Sequence, residues 1–195
     1  ASFDLAADLM LRASFLRLAD NEGVLLFNMH HIASDGWSMG LLVNEFVRHY
    51  DALARGSDDP LPPLALQYAD YAQWQRNWLV GDVLEQQLRY WDRQLAELPP
   101  VHGMPLDRPR PAQQQFRGAT RHVKIEHATY TGLQHLAQTR QATMFMVLHA
   151  ALAVLLARHS NSSDIVLGTP VANRLQKELE ALIGFFVNTL VLRAD

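Results

Sequence analysis

The stretch His30-His31-Ile32-Ala33-Ser34-Asp35-Gly36 closes one regular element and opens the next. Before it, Ala13 to Leu18 and Val24 to Met29 read as two strands, joined through the turn Asp20-Asn21-Glu22-Gly23 as a hairpin. The second strand runs straight into the double histidine. After Gly40, the residues Leu42, Val43, Phe46, Val47, Tyr50 and Leu53 recur at helical spacing, and Gly56 is a natural stop.

A double histidine at a strand end, followed by Asp and Gly, concentrates functional groups in one turn. Imidazole has an ordinary pKa near neutrality. It can accept a proton from an amine or hydroxyl attacking an acyl carbon, a contribution of roughly 10²–10⁴ in rate. Asp35 could orient the turn or pair with a cation. Gly36 offers a backbone N–H unshielded by a side chain, suited to close approach of a substrate or an oxyanion. Two other readings compete. The ligand types of His30, His31 and Asp35 suit zinc, but neighbouring strand residues point to opposite faces and rarely reach one ion, so no metal is expected. Gly36-Trp37-Ser38-Met39-Gly40 matches the G-x-S-x-G nucleophile elbow. An elbow, however, places its serine directly on the strand-to-helix turn, and here His30 to Asp35 intervene. Ser38 is expected to cap the following helix instead.

Farther along, a proline-rich loop spans Ser57 to Pro63, and Tyr71, Trp74 and Trp78 line one helical face as core residues. Asp82 and Glu85 form a capping-box pattern, with Leu84, Leu88, Trp91 and Leu95 behind it. Pro99-Pro100 ends that helix, and an irregular crossing follows. Thr120 to Ile125 alternates like a strand, and Thr129 to Arg140 is helical. Thr143 caps a helix to about Arg158 that is apolar nearly all round, hence central and buried. Asp164 to Gly168 and Phe186 to Arg193 are short strands. Asn188, polar within an apolar run, needs a partner, and a structural hydrogen bond is the expected one.

The 195 residues carry a net charge of −3, with 49% hydrophobic and 19% charged side chains, the balance of a globular protein with a sizeable core. No basic field or aromatic-basic stripe points to nucleic acid or an anionic membrane. Cysteine is absent, which excludes disulfides, thiolate metal sites and a cysteine nucleophile, and fits a cytoplasmic location. No apolar run is long enough to span a bilayer. A start at Ala1 and an end just after a strand-like run are expected of a fragment.

Several stretches together resemble one family. His30-His31-x-x-x-Asp35-Gly36 is similar to the HHxxxDG signature of condensation domains of nonribosomal peptide synthetases. Tyr68-Ala69-Asp70-Tyr71-Ala72-Gln73-Trp74-Gln75 resembles their YxDYAxWQ motif, and Asp107-Arg108-Pro109-Arg110-Pro111 their crossing between lobes. Gly168-Thr169-Pro170-Val171-Ala172-Asn173-Arg174 and Ile183-Gly184-Phe185-Phe186-Val187-Asn188-Thr189 resemble two more signatures, in the family's order. The resemblance implies an α/β (α+β) chain with a chloramphenicol-acetyltransferase-like fold, a V of two lobes incomplete at both ends. Residues 1–98 would belong to the N-terminal lobe, 99–118 to the crossing and 119–195 to the C-terminal lobe.

It also implies the activity, in secondary-metabolite and antibiotic biosynthesis. The amine of an acceptor aminoacyl thioester attacks a donor acyl or peptidyl thioester, forming a peptide bond. Both substrates arrive on phosphopantetheine arms of peptidyl carrier domains, with adenylation domains as neighbours and no cofactor bound by the domain itself. His31 matches the essential second histidine, as a base or as the group that positions the amine. His30 and Gly36 complete the signature. Asp35 matches a structural residue that pairs with an arginine, for which Arg174 is the expected partner. The resemblance also implies a substrate tunnel between the lobes, for whose walls Trp37, Ser38 and Asn188 are candidates. A free-standing acyl-CoA-dependent acyltransferase of the same superfamily is the nearest rival. A non-catalytic or carrier-binding fragment is another.

Overall fold

The computed structural model describes residues 2–58, 61–99, 101–115 and 117–194. Asp59, Pro60 and Pro100, assigned to loops above, lie outside that range. The chain order is β1 (Leu11–Ala19), β2 (Glu22–Met29), α1 (Gly36–Arg55), α2 (Tyr68–Trp78), α3 (Gly81–Gln94), α4 (His127–Thr139), α5 (Met144–Ser160), β3 (Ile165–Val171) and β4 (Asn188–Ala194). Short 3₁₀ turns at His31–Ala33 and Lys177–Leu179 complete it. Helices and strands mix as the sequence predicts, and among the described residues no single helix is long and apolar enough to cross a membrane.

By contacts the chain forms two compact units. One comprises residues up to Tyr90 together with Thr169–Leu190, and the other Trp91–Gly168 together with the residues from Val191 on. Thus 169–190, which the motif order assigns to the lobe 119–195, packs with the N-terminal residues.

In the first unit β1 and β2 form an antiparallel hairpin with Leu11 opposite Met29 and a bulge between Arg17 and Ala19. The hairpin rests on α1 through Phe27, whose ring meets Phe46 edge-on at 5.5 Å. At its far end α1 stops on Gly56, whose φ of 66° is the left-handed conformation that glycine adopts without steric cost. The buried cluster of this unit is Tyr71, Leu179, Leu182 and Phe186. Only Tyr71 of the expected aromatic face is core. Trp74 and Trp78 are 45% and 49% exposed, and stack on each other at 5.5 Å. The sequence places a capping box at Asp82 and Glu85. The reciprocal contact is found instead on α2, where the Asp70 carboxylate accepts from the Gln67 N–H at 2.8 Å.

In the second unit, Thr143 caps α5 by accepting from the Met146 N–H at 3.2 Å, as its position predicts. Two expectations fail there. Thr120 to Ile125 is not a strand, because no strand among the described residues lies beside it to take its hydrogen bonds; Val123 is 87% exposed. Nor is α5 buried: Ala153 is its buried residue, while Phe145, Met146, Leu152 and Leu155 face outward. The apolar content of the chain therefore exceeds the core it builds, since burial needs a covering surface as well as apolar side chains. A bidentate pair closes this unit: Arg193 grips Asp164 at 2.7 and 2.8 Å and donates to the carbonyls of Gln94 and Ala96.

Candidate active site

The signature stretch divides its labour. His30 ends β2 by donating its N–H to the Met10 carbonyl at 2.9 Å, and its Nδ1 accepts from the Ile32 N–H at 3.0 Å. That acceptor role puts the proton of the neutral ring on Nε2. Phe3 packs edge-on against the same ring at 5.6 Å. His30 is thereby engaged in local structure. His31, one residue later, opens the 3₁₀ turn and is exposed, with an edge-on contact to Phe185 at 5.1 Å.

Asp35 begins α1. Its backbone is extended, and its Oδ1 accepts from the Ser38 N–H at 2.8 Å, the geometry of an N-cap. The cap is therefore Asp35, not Ser38: the carboxylate arrives first along the chain and takes the free amide at the third helical position. Ser38 is wholly buried. Its Oγ lies 2.8 Å from Asp35 Oδ1 and 2.9 Å from the Gly184 carbonyl, and accepts from Arg174 Nη2 and the Gly184 N–H, each at 3.0 Å. A hydroxyl has one proton, so it serves one of the two acceptors at a time while both its lone pairs are taken. A serine so enclosed is neither a nucleophile nor a tunnel wall. The elbow reading and the tunnel assignment both fall on this geometry.

Arg174 holds the centre. Its side chain is 2% exposed and that of Asp35 4%, with Nη2 3.2 and 3.4 Å from the two carboxylate oxygens. Nη1 donates to the carbonyls of Leu179 and Leu182, and the guanidinium lies 4.0 Å over the Phe186 ring. A planar fork with donors on two nitrogens suits this dual task. Asp35 also accepts from the Phe186 N–H at 3.1 Å. Burial alone would raise the Asp35 pKa. The hydrogen bonds from Ser38 and Phe186, with the Arg174 charge, outweigh it and hold the carboxyl below its ordinary value.

The same bonds fix a segment that lacks regular structure between the Lys177–Leu179 turn and β4. Its backbone is caught in succession: Leu179 O and Leu182 O by Arg174, Glu180 O by the Trp37 indole at 2.9 Å, Gly184 by Ser38, Phe185 O by the Tyr68 hydroxyl at 2.8 Å, and Phe186 N by Asp35. Gly184 is required by close approach, because a Cβ there would collide with the Tyr68 ring. The α-carbon of Gly36, by contrast, faces open space.

Of the predicted residues, His31, Asp35, Ser38 and Arg174 thus converge around α1's start. Trp37 joins as a clasp on Glu180, half-exposed rather than enclosed. Asn188 does not join them: it is exposed, and its Oδ1 accepts from the adjacent Thr189 N–H at 2.8 Å. Sequence reasoning missed Tyr68 and Phe185 as contacts of this site. Both stand inside signature stretches, but nothing in their local pattern sets them apart from core aromatics. Among the described residues no cluster of three His, Cys, Asp or Glu is arranged to hold a metal ion.

Comparison with known proteins identifies the family. The family described as Condensation domain matches residues 1–195, so the chain belongs to the condensation-domain family, whose members are amide-forming acyltransferases. Malpibaldin synthetase of Mortierella alpina is 48% identical over 99% of the chain, which spans 4% of that protein. Phosphinothricin tripeptide synthetase PhsC of Streptomyces viridochromogenes is 44% identical over 98% of the chain, which spans 18% of it. Among solved structures, the X-domain in complex with OxyB from teicoplanin biosynthesis superposes with a TM-score of 0.91 at 32% identity, over 99% of this chain and 44% of that one. A four-domain nonribosomal peptide synthetase bound to AMP and glycine gives a TM-score of 0.82 at 33% identity, over 99% and 14%. The fold is accordingly that of the chloramphenicol-acetyltransferase-like condensation domains.

Proposed function

We propose that the protein joins two carrier-bound substrates through a peptide bond, with His31 at the reacting amine. The carrying observation is the division between the two histidines. His30 is committed to the turn by its Nδ1, whereas His31 stands exposed on a base braced by the buried Asp35–Arg174 pair. In this reaction the acceptor amine attacks the donor thioester carbon. A C–N bond forms, the C–S bond breaks, and the donor's thiol is released. The amine gives up one proton overall, and His31 accepts it or holds the amine through the tetrahedral intermediate. The Gly36 N–H, at the start of α1, is a candidate donor to the oxyanion.

The relatives are peptide synthetases, and the chain spans only a small part of each. The substrates are accordingly proposed to come on phosphopantetheine arms of neighbouring carrier domains, loaded by adenylation domains. The domain itself binds no cofactor in this scheme. A second reading rests on the X-domain likeness: that protein is seen in complex with OxyB, so a partner-binding rather than catalytic role is the alternative.

The test supplies two carriers loaded with different amino acids to the protein that contains this domain, and measures dipeptidyl thioester by mass spectrometry. Product from the carrier pair, with none when acyl-CoA replaces the donor carrier, is expected. Product from acyl-CoA alone would favour the free-standing acyltransferase, and none from either would favour the binding role.

A further inference from the structure

We propose that Phe185 is a positioning residue that sets the orientation of the His31 imidazole; this rests on the reading that His31 serves the reaction. A working histidine is commonly held by a hydrogen bond to its second ring nitrogen. Here neither ring nitrogen of His31 has a hydrogen-bond partner among the described residues, and the ring meets Phe185, centroids 5.1 Å apart and planes at 82°. That is the edge-to-face geometry aromatic pairs prefer. It restrains the ring while leaving both nitrogens open to substrate.

Such a contact orients only if the phenyl group is itself fixed. Phe185 is 39% exposed, so burial does not fix it. Its backbone does. The Gly184 N–H is held by Ser38, the Phe185 carbonyl accepts from Tyr68 Oη at 2.8 Å, and the Phe186 N–H is held by Asp35. Gly184 and Phe186 on either side are buried. Three consecutive residues are thus tied down by side chains from the start of α1 and from α2, and the side chain between them is directed onto His31. The buried network under the signature turn consequently has a second product besides stability: it aims one exposed ring at another.

The experiment compares Phe185→Leu, which keeps apolar bulk but removes the ring, with Phe185→Tyr, which keeps the ring, and with His31→Ala. Imidazole signals of His31 are assigned by their loss in His31→Ala, and turnover is measured with two loaded carriers. Removing the ring is expected to change the three-bond couplings that report the His31 χ1 angle, which loss of the ring current alone does not move. It should lower kcat by about tenfold, with KM for each carrier within about twofold and an unchanged melting temperature. Phe185→Tyr should stay near the parent in each respect. If Phe185→Leu keeps parent turnover, or leaves the His31 χ1 couplings unchanged, while His31→Ala abolishes the reaction, the positioning role is overturned. If His31→Ala itself turns over like the parent, the underlying reading falls and takes the proposal with it.

Discussion

Replacing Arg174 with lysine keeps the charge and removes the fork, and the structure gives the cost. Nη1 serves the carbonyls of Leu179 and Leu182, while Nη2 serves Asp35 and Ser38. A single ammonium nitrogen cannot stand in both places. Kept beside Asp35, it leaves two carbonyls without a cationic donor, at about 1.5–3 kcal/mol for each such bond before any relaxation. Moved to the carbonyls, it leaves a buried carboxylate unpaired, at about 3–5 kcal/mol. The guanidinium's contact over Phe186 at 4.0 Å is also weakened. Arg174→Lys should therefore destabilise by about 3 kcal/mol, and Arg174→Met by as much or more. Urea unfolding followed by tryptophan fluorescence reads the change directly, and an unchanged m-value shows that the unfolding unit is the same. Arg174→Lys within about 0.5 kcal/mol of the parent would refute the dual-anchor reasoning, since surface-like substitutions have that effect.

Further outcomes follow from the same network. Gly184→Ala drives a Cβ into the Tyr68 ring, and should cost about 1–3 kcal/mol by urea unfolding unless the ring yields. His30→Ala removes the acceptor for the Ile32 N–H and should cost about 1 kcal/mol, close to the loss of a helix cap, with condensation turnover lowered less than in His31→Ala. The depressed Asp35 pKa contributes stability above the unfolded carboxyl value near 3.9, lost as pH falls through the folded value. Acid unfolding of Asp35→Asn should accordingly show a shallower loss of stability below about pH 4 than the parent. Arg193→Ala, which frees Asp164 and the Gln94 and Ala96 carbonyls, should loosen the second unit and raise hydrogen exchange in β4.

Local chemistry made much of this legible from sequence. The hairpin before His30, the Gly56 stop and the Thr143 cap depend on neighbours within a few residues, and each is present. The motif stretches also carried Asp35 and Arg174 as a pair although they lie 139 positions apart, and the structure has them in contact. What failed depends on distant surfaces. Alternation at Thr120 to Ile125 specifies a strand only if another lies alongside, and apolar residues all round α5 mean burial only where something covers them. Ser38 shows a different limit. The identity of a helix cap and the enclosure of its neighbour turn on which oxygen reaches the amide, and Asp35 precedes Ser38 by three positions. Phe185 beside His31 is a pure consequence of how the backbone of 184–186 is clasped, and no spacing in the sequence encodes it.

The proposed service of the reacting amine by His31, and not by its neighbours, is tested most directly in a single turnover. Single-turnover formation of the dipeptidyl thioester, with both carriers pre-loaded, compares the parent with His31→Ala and Ser38→Ala at matched fold by circular dichroism. A rate lowered by roughly 10²–10⁴ in His31→Ala, with a smaller loss in Ser38→Ala, is the expected result. A His31→Ala rate within about threefold of the parent, or loss confined to Ser38→Ala, would contradict it.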